Sequence, residues 1–231
     1  MLPGVDDGAD SMEESIEIIK YMEQSGVTDL ILTPHYCKRR SYTVSYSDVE
    51  SVYNDLCKRC LEENIGVRLH LGAELEYSQD GAKYIREQRI HTLAKSKYIL
   101  VEFAPYADSA TILKAVREIT HMGYVPVIAH IERYNSLWSD YGTIDNVKSN
   151  GAMIQINVRS LSYRSGKIRK LMKYVISKEL ADFAAGDVHS DPLSPKEMTK
   201  FCKFVLKYAS QDYLEKIMGE NAKSTILKKG E

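Results

Sequence analysis

No apolar stretch in this 231-residue chain comes near the roughly 18 residues that a membrane-spanning helix needs. The first residues also lack the basic-then-apolar layout of a secretory leader. A cytoplasmic protein with no inserted segment is expected. Net charge is equally scarce: 31 basic against 32 acidic side chains leave no long-range field to draw nucleic acid or an anionic bilayer, so a small or local ligand is expected. Of four cysteines, only Cys57 and Cys60 form a CxxC, inside the helical-looking run SDVESVYNDLCKRCLEEN, with no second pair to complete a zinc site. No cysteine has an arginine six positions later, which leaves a cysteine nucleophile without a phosphate loop. Internal repeats, low-complexity tracts and Gly/Pro/Ser-rich linkers are absent too, and a single domain over residues 1–231 is expected.

What the chain does have is 44% apolar content, distributed as short aliphatic runs separated by helical-period segments. The runs are VTDLILT (27–33), VRLHLGAEL (67–75), YILVEF (98–103), YVPVIAH (124–130), GAMIQIN (151–157) and LADFAAGD (180–187). They read as strands covered on both faces. Ser11 with Glu14 and Ser47 with Glu50 have capping-box spacing, and Pro195 suits the first turn of a late helix. Strand alternating with helix implies a parallel sheet. The C-terminal stretch from Ser194 carries helical pattern and no strand, as expected of closing helices. The basic, tyrosine-bearing segment HYCKRRSYTVSYS (35–47) reads as a solvated loop.

Polar residues fall at the strand ends: His35 after ILTP, Glu74 after LHLGA, Glu102 after YILV, His130 after PVIA, Asn157 after MIQI, and Asp187 with His189 after FAAG. They recur at intervals of roughly 30 residues, one βα unit each. In a parallel barrel all strands point their carboxyl ends at one face, so these residues converge. A lone His or Glu at a strand end is more often a hydrogen-bonded structural residue than a ligand. Three carboxylates together are another matter, because they repel and raise one another's pKa unless a cation lies between them. Imidazole with carboxylate is a ligand set for Zn, Mn or Fe. His70, His91 and His121 lie off the ring and read as structural or surface residues. Arg133, three residues past His130, reads equally as a surface ion pair or as a fork for phosphate oxygens.

Seven segments, LPGVDDGA, ILTPHY, LGAELEY, YILVEF, GYVPVIAHIERY, GAMIQIN and GDVHSD, occur in this order. Together they resemble the polymerase-and-histidinol-phosphatase (PHP) superfamily, specifically its bacterial manganese-dependent protein-tyrosine phosphatases of capsule and exopolysaccharide operons. The resemblance implies an α/β fold, a distorted TIM-like (β/α)7 barrel of which six strands are counted here, plus C-terminal closing helices. It also implies a first strand bearing His-x-His before Leu2, where this chain has only Met1; a start-site assignment or a truncation accounts for that equally.

On the same resemblance, Asp7, His35 and His189 form one metal site, and Glu74, Glu102 and His130 a second. Glu74 and Asp187 remain from a third. The cofactors implied are up to three divalent ions, manganese foremost, with iron, zinc or magnesium as alternatives. Arg133 is the implied phosphate clamp, aided by Lys196, since the arginine usual after Asp-x-His is missing from HSDPLSPKEM. The implied reaction is hydrolysis of phosphotyrosine, by a metal-activated hydroxide, on a bacterial tyrosine kinase that regulates polysaccharide export. Two alternatives stand beside it: a weakly active or inactive regulatory protein on the same fold, and a related phosphoesterase such as a histidinol phosphatase. Homo-oligomerisation is left open.

Overall fold

The computed structural model of the chain describes residues 1–163 and 165–228. Helix α1 (Met12–Gln24) leads into β1 (Asp29–Leu32) and its short continuation β2 (His35–Tyr36); α2 (Tyr46–Glu62) leads into β3 (Arg68–Leu71) and its continuation β4 (Glu74–Glu76). There follow α3 (Gly81–Arg86), β5 (Tyr98–Glu102), α4 (Ser109–His121), β6 (Val125–Ile128), α5 (Tyr141–Ser149), β7 (Met153–Asn157), α6 (Gly166–Ser177) and β8 (Phe183–Ala185). Helices α7 (Pro195–Leu206), α8 (Gln211–Glu215) and α9 (Asn221–Thr225) end the chain.

All strand pairs are parallel, β1 with β3 and then β2-β4-β5-β6-β7-β8 in that order. The break between the two sheets is chemical: Pro34 has no N–H to donate to a ladder. The acceptors continue through it, since the Leu32 carbonyl accepts from Gly72 N–H at 2.8 Å and the Pro34 carbonyl from Glu74 N–H at 3.0 Å. Six strands therefore run through a curled sheet, as the sequence implied. Among the described residues the sheet is not closed. β1 and β8 each have one neighbour, and a cavity of about 720 Å³ lies between them, lined by Ile31 and Thr33 on one side and Ala184 and Gly186 on the other.

Each crossover helix buries a stripe that its sequence dictates. In α4 the stripe is Ile112, Ala115, Val116 and Ile119, with Asp108 capping the start by accepting from Thr111 N–H at 2.7 Å. In α6 it is Leu171, Met172, Val175 and Ile176. These pack with Ile99, Val101, Ile128, Ile154 and Ile156 of the sheet into the main core. A second core joins α1 and α2 to β1 and β3, and it includes Leu2 and Val5 of the opening segment. That anchorage holds the loop carrying Asp6 and Asp7 against the sheet.

Two local expectations are corrected. The cap of α2 lies two residues before Ser47: it is Ser45, whose hydroxyl accepts from Asp48 N–H at 3.2 Å. In α1 Ser11 caps Glu14 N–H at 3.2 Å, but the Glu14 carboxylate turns to Asp10 N–H at 2.7 Å, so the reciprocal half of the box is made one residue early. The full capping box belongs to α7, between Ser194 and Glu197 with Pro195 in the first turn. Segment 35–47 is more ordered than a bare loop, with β2, a 3₁₀ turn at Lys38–Arg40 and an antiparallel bridge between Cys37 and Tyr42. Among the described residues no helix is long and apolar enough to cross a membrane.

Candidate metal centre

The carboxyl ends of the parallel strands bring the polar residues together. His35 is on β2, Glu74 on β4, Glu102 ends β5, His130 follows β6, Asn157 ends β7, and Asp187 and His189 follow β8. His130 (φ 31°) and Asp187 (φ 50°) have left-handed backbones, a conformation that costs a non-glycine residue of order 1 kcal/mol and is concentrated at functional sites. In both cases the chain turns sharply off its strand at the ring.

Two sets of side chains offer donor atoms within 4.8 Å of one another: Asp7, His35 and His189, and His35, Glu74 and Glu102. In the first set His35 Nδ1 lies 3.0 Å from Asp7 Oδ1, and His189 Nε2 3.7 Å from the same oxygen. In the second His35 Nε2 is 3.8 Å from Glu74 Oε2. His130 joins through Nε2, 3.0 Å from Glu74 Oε1 and 3.7 Å from Glu102 Oε2. Asp187 Oδ2 accepts from Asn157 Nδ2 at 2.9 Å and from Arg133 Nη2 at 2.5 Å. Lys196, in the first turn of α7, is exposed, and no bond ties it to this ring.

The electrostatics are those of a site crowded with carboxylates. Burial opposes charge on His35, yet its bond to Asp6 and the fields of Glu74 and Glu102 outweigh that and raise its pKa to about 9. Burial, then the nearby Glu74, pushes the Glu102 carboxyl up. For Asp187 burial is outweighed by Arg133, and its pKa falls. Protons thus do the neutralising that a cation does better. One buried oxygen of the cluster, Glu102 Oε1, has no hydrogen-bond partner, and such an atom costs about 1–3 kcal/mol if left unsatisfied. Clustered oxygen and imidazole donors with unmet valence fit a divalent ion.

Some residues at the site were not anticipated. Asp6 Oδ2 accepts from both His35 N–H (2.8 Å) and Nδ1 (2.9 Å), fixing the ring's orientation and leaving Nε2 for the centre. The doublet VDDG announced a carboxylate, but sequence alone cannot assign roles to neighbours. Arg40 Nη1, from the 3₁₀ turn, lies 3.6 Å from Asp7 Oδ2. Glu132 is fully buried, and nothing in IAHIERY marked it out from a surface acid. Off the centre, His70 pairs with Asp29 at 3.2 Å, His91 stacks on Tyr46, and His121 ends α4.

With this geometry in view, a family model described as capsular polysaccharide synthesis, CpsB/CapC, matches residues 1–227. The chain belongs to the CpsB/CapC family. Among relatives, the putative tyrosine-protein phosphatase CapC of Staphylococcus aureus is 32% identical over 191 residues, 82% of this chain and 74% of that one. Tyrosine-protein phosphatase CpsB of Streptococcus agalactiae serotype III (strain NEM316) is 26% identical over 229 residues, covering 96% and 93%. A crystal structure from the pair YwqE of Bacillus subtilis and CpsB of Streptococcus pneumoniae, described as unique metal-dependent tyrosine phosphatases, matches with TM-score 0.85 at 24% identity over 99% and 92% of the two chains. Histidinol phosphate phosphatase of Lactococcus lactis, solved with zinc, matches at TM-score 0.56 and 11% identity over 85% and 86%. Both structures share the fold of this CpsB/CapC member.

Proposed function

We propose that this chain is a metal-dependent protein-tyrosine phosphatase whose substrate is a phosphorylated tyrosine kinase of capsule or exopolysaccharide synthesis, and that it works in the cytoplasm. The observation carrying this reading is the convergence of two His/carboxylate donor sets at one end of a parallel sheet in a CpsB/CapC chain. Asp7, His35 and His189 would hold one divalent ion, Glu74, Glu102 and His130 a second, and Glu74 with Asp187 offers part of a third; manganese is the ion we favour. When bound, such ions supply Lewis acidity and bring a water's pKa from 15.7 toward about 7.

The chain's own residues do the rest. Asp6 holds His35 in one tautomer and orientation. Asn157 and Arg133 hold Asp187 from two directions. Arg133 uses one N–H on that carboxylate, and the remaining donors of its planar fork match phosphoryl oxygens. A phenolate, whose conjugate acid has a pKa near 10, departs more readily than an alkoxide.

A cysteine mechanism finds no support. All four cysteines are free, and burial raises each thiol pKa, Cys60 to about 11. The experiment is side-by-side turnover of a phosphotyrosyl peptide, a phosphoseryl peptide and histidinol phosphate in manganese, before and after thiol alkylation. The reading expects preference for the first and resistance to alkylation. Preferred turnover of histidinol phosphate overturns the substrate assignment, and loss on alkylation of still-folded protein overturns the mechanism.

A further inference from the structure

Glu132 is an acid with no exposed surface, between the turn carrying His130 and the neighbouring Arg133. Its Oε1 accepts from Asn157 N–H at 3.1 Å and from Ser160 Oγ at 2.5 Å, while Oε2 has no partner. Its backbone carbonyl accepts from Trp138 Nε1 at 2.9 Å. The location explains the need for these bonds. The β6–β7 ladder ends at the pair Ile128 and Ile154, yet the chain beyond each strand must still be held in register. Side chains take over: Gln155 Oε1 accepts from His130 N–H at 2.5 Å, and Glu132 grips the Asn157–Ser160 turn. Both arms of the network then end on one atom, Asp187 Oδ2, through Arg133 Nη2 and Asn157 Nδ2.

We infer that Glu132 is a positioning residue for phosphate binding: by tying the turn after β6 to the turn after β7, it aims the Arg133 guanidinium. The inference rests on the proposed function, in which Arg133 binds the phosphoryl group. A buried carboxylate with one unpartnered oxygen is a costly way to satisfy a backbone N–H that a smaller group could serve. Its two-donor grip on a single turn gives orientation in return. A guanidinium fork is effective only when both of its donors face the phosphate, so a small rotation of the turn weakens anion binding while leaving the fold intact.

The test is calorimetric affinity of manganese-loaded protein for inorganic phosphate, with KM and kcat for a phosphotyrosyl peptide, in Arg133→Ala, Ser160→Ala, Glu132→Gln, Glu132→Leu and the Ser160→Ala/Arg133→Ala double variant. Arg133→Ala should weaken phosphate binding about tenfold or more, as loss of a charge-assisted pair does. Ser160→Ala removes one of the two donors to Oε1. It should weaken phosphate binding and raise KM by about threefold to tenfold with kcat within about twofold, and it should add nothing in the Arg133→Ala background. Glu132→Gln keeps the Oε1 acceptor and should retain parental affinity; Glu132→Leu, where it folds, should approach Arg133→Ala.

Unchanged phosphate affinity in Ser160→Ala alongside a weakened Arg133→Ala overturns the positioning role and leaves the clamp intact. Additive effects in the double variant overturn it as well, since Glu132 would then act by another route. Unchanged affinity in Arg133→Ala overturns the clamp itself, and the inference with it.

Discussion

Replacing Asp6 with asparagine should lower stability in a pH-dependent way, most below pH 6.5 and hardly at all near pH 10. In metal-stripped protein the Asp6–His35 pair is nearly sealed from solvent, with side-chain exposures of 4% and 7%. The His35 pKa rises from 6.5 to about 9, against its burial, through the Asp6 bond and the fields of Glu74 and Glu102. At 1.36 kcal/mol per pH unit, that rise is worth about 3 kcal/mol of folding free energy. Because the folded value is raised, this contribution is fully present below pH 6.5 and is lost as pH climbs through 9. Asp6 describes the acid side of the same pair: its pKa falls to about 2, burial being outweighed by the His35 bonds. Its contribution is present above pH 3.8 and disappears as pH falls through 2. The two are one interaction and count once. Asp6→Asn keeps an acceptor for His35 N–H but removes the charge facing Nδ1, leaving Asp7, Glu74 and Glu102 to hold part of the effect. A loss of about 2 kcal/mol is therefore expected at pH 6, shrinking toward zero by pH 10. Urea denaturation of both proteins in chelator between pH 5 and 10 measures it. Stability curves that stay parallel across that range would refute the charge-pair reasoning.

Other outcomes follow from the same structure. Glu102→Gln removes a charge and should cut manganese affinity by at least about tenfold, the scale seen when a metal site loses supporting charge, read by titrating metal-stripped protein. Ile119→Ala empties a fully buried position of α4 and should cost about 2–5 kcal/mol, read as a lower denaturation midpoint with unchanged metal binding. Ser194→Ala removes the capping box of α7 and should cost about 1 kcal/mol. Gly72→Val should cost about 1–3 kcal/mol, because a Cβ there would lie 2.8 Å from Leu93 Cδ2 and 3.3 Å from Ile31 Cγ2 and Thr33 Cγ2, so these side chains must shift; parental stability would contradict that packing.

Legibility followed periodicity. The central runs were visible because β5, β6 and β7 are largely buried on both faces and mostly aliphatic, whereas β1, β3 and β8 are only partly covered, β3 carrying Arg68 and His70; α4 and α6 were visible because their buried stripes recur at helical spacing. The short strand β2 beyond Pro34 was harder to see, because the apolar run VTDLILT ends at Thr33 and the basic, tyrosine-bearing segment after it carries no aliphatic pattern. Caps shifted by a residue or two wherever several serines and acids compete, as at Ser45 and Ser47. The ring of His35, Glu74, Glu102, His130, Asp187 and His189 could be assembled from the sequence because strand ends of a parallel sheet converge whatever their sequence separation. What holds that ring was not legible. Asp6 looks like Asp7, and Glu132 looks like a loop acid, because their roles depend on which backbone N–H each reaches across the fold.

The most direct test of the account is a manganese titration of metal-stripped protein, followed by phosphate release from a phosphotyrosyl peptide. The account predicts no release in chelator, turnover that rises and saturates with added metal, and a titration in Glu102→Ala shifted to at least about tenfold higher metal. Release that persists in chelator, or a folded wild-type chain that binds manganese and releases no phosphate, would contradict it.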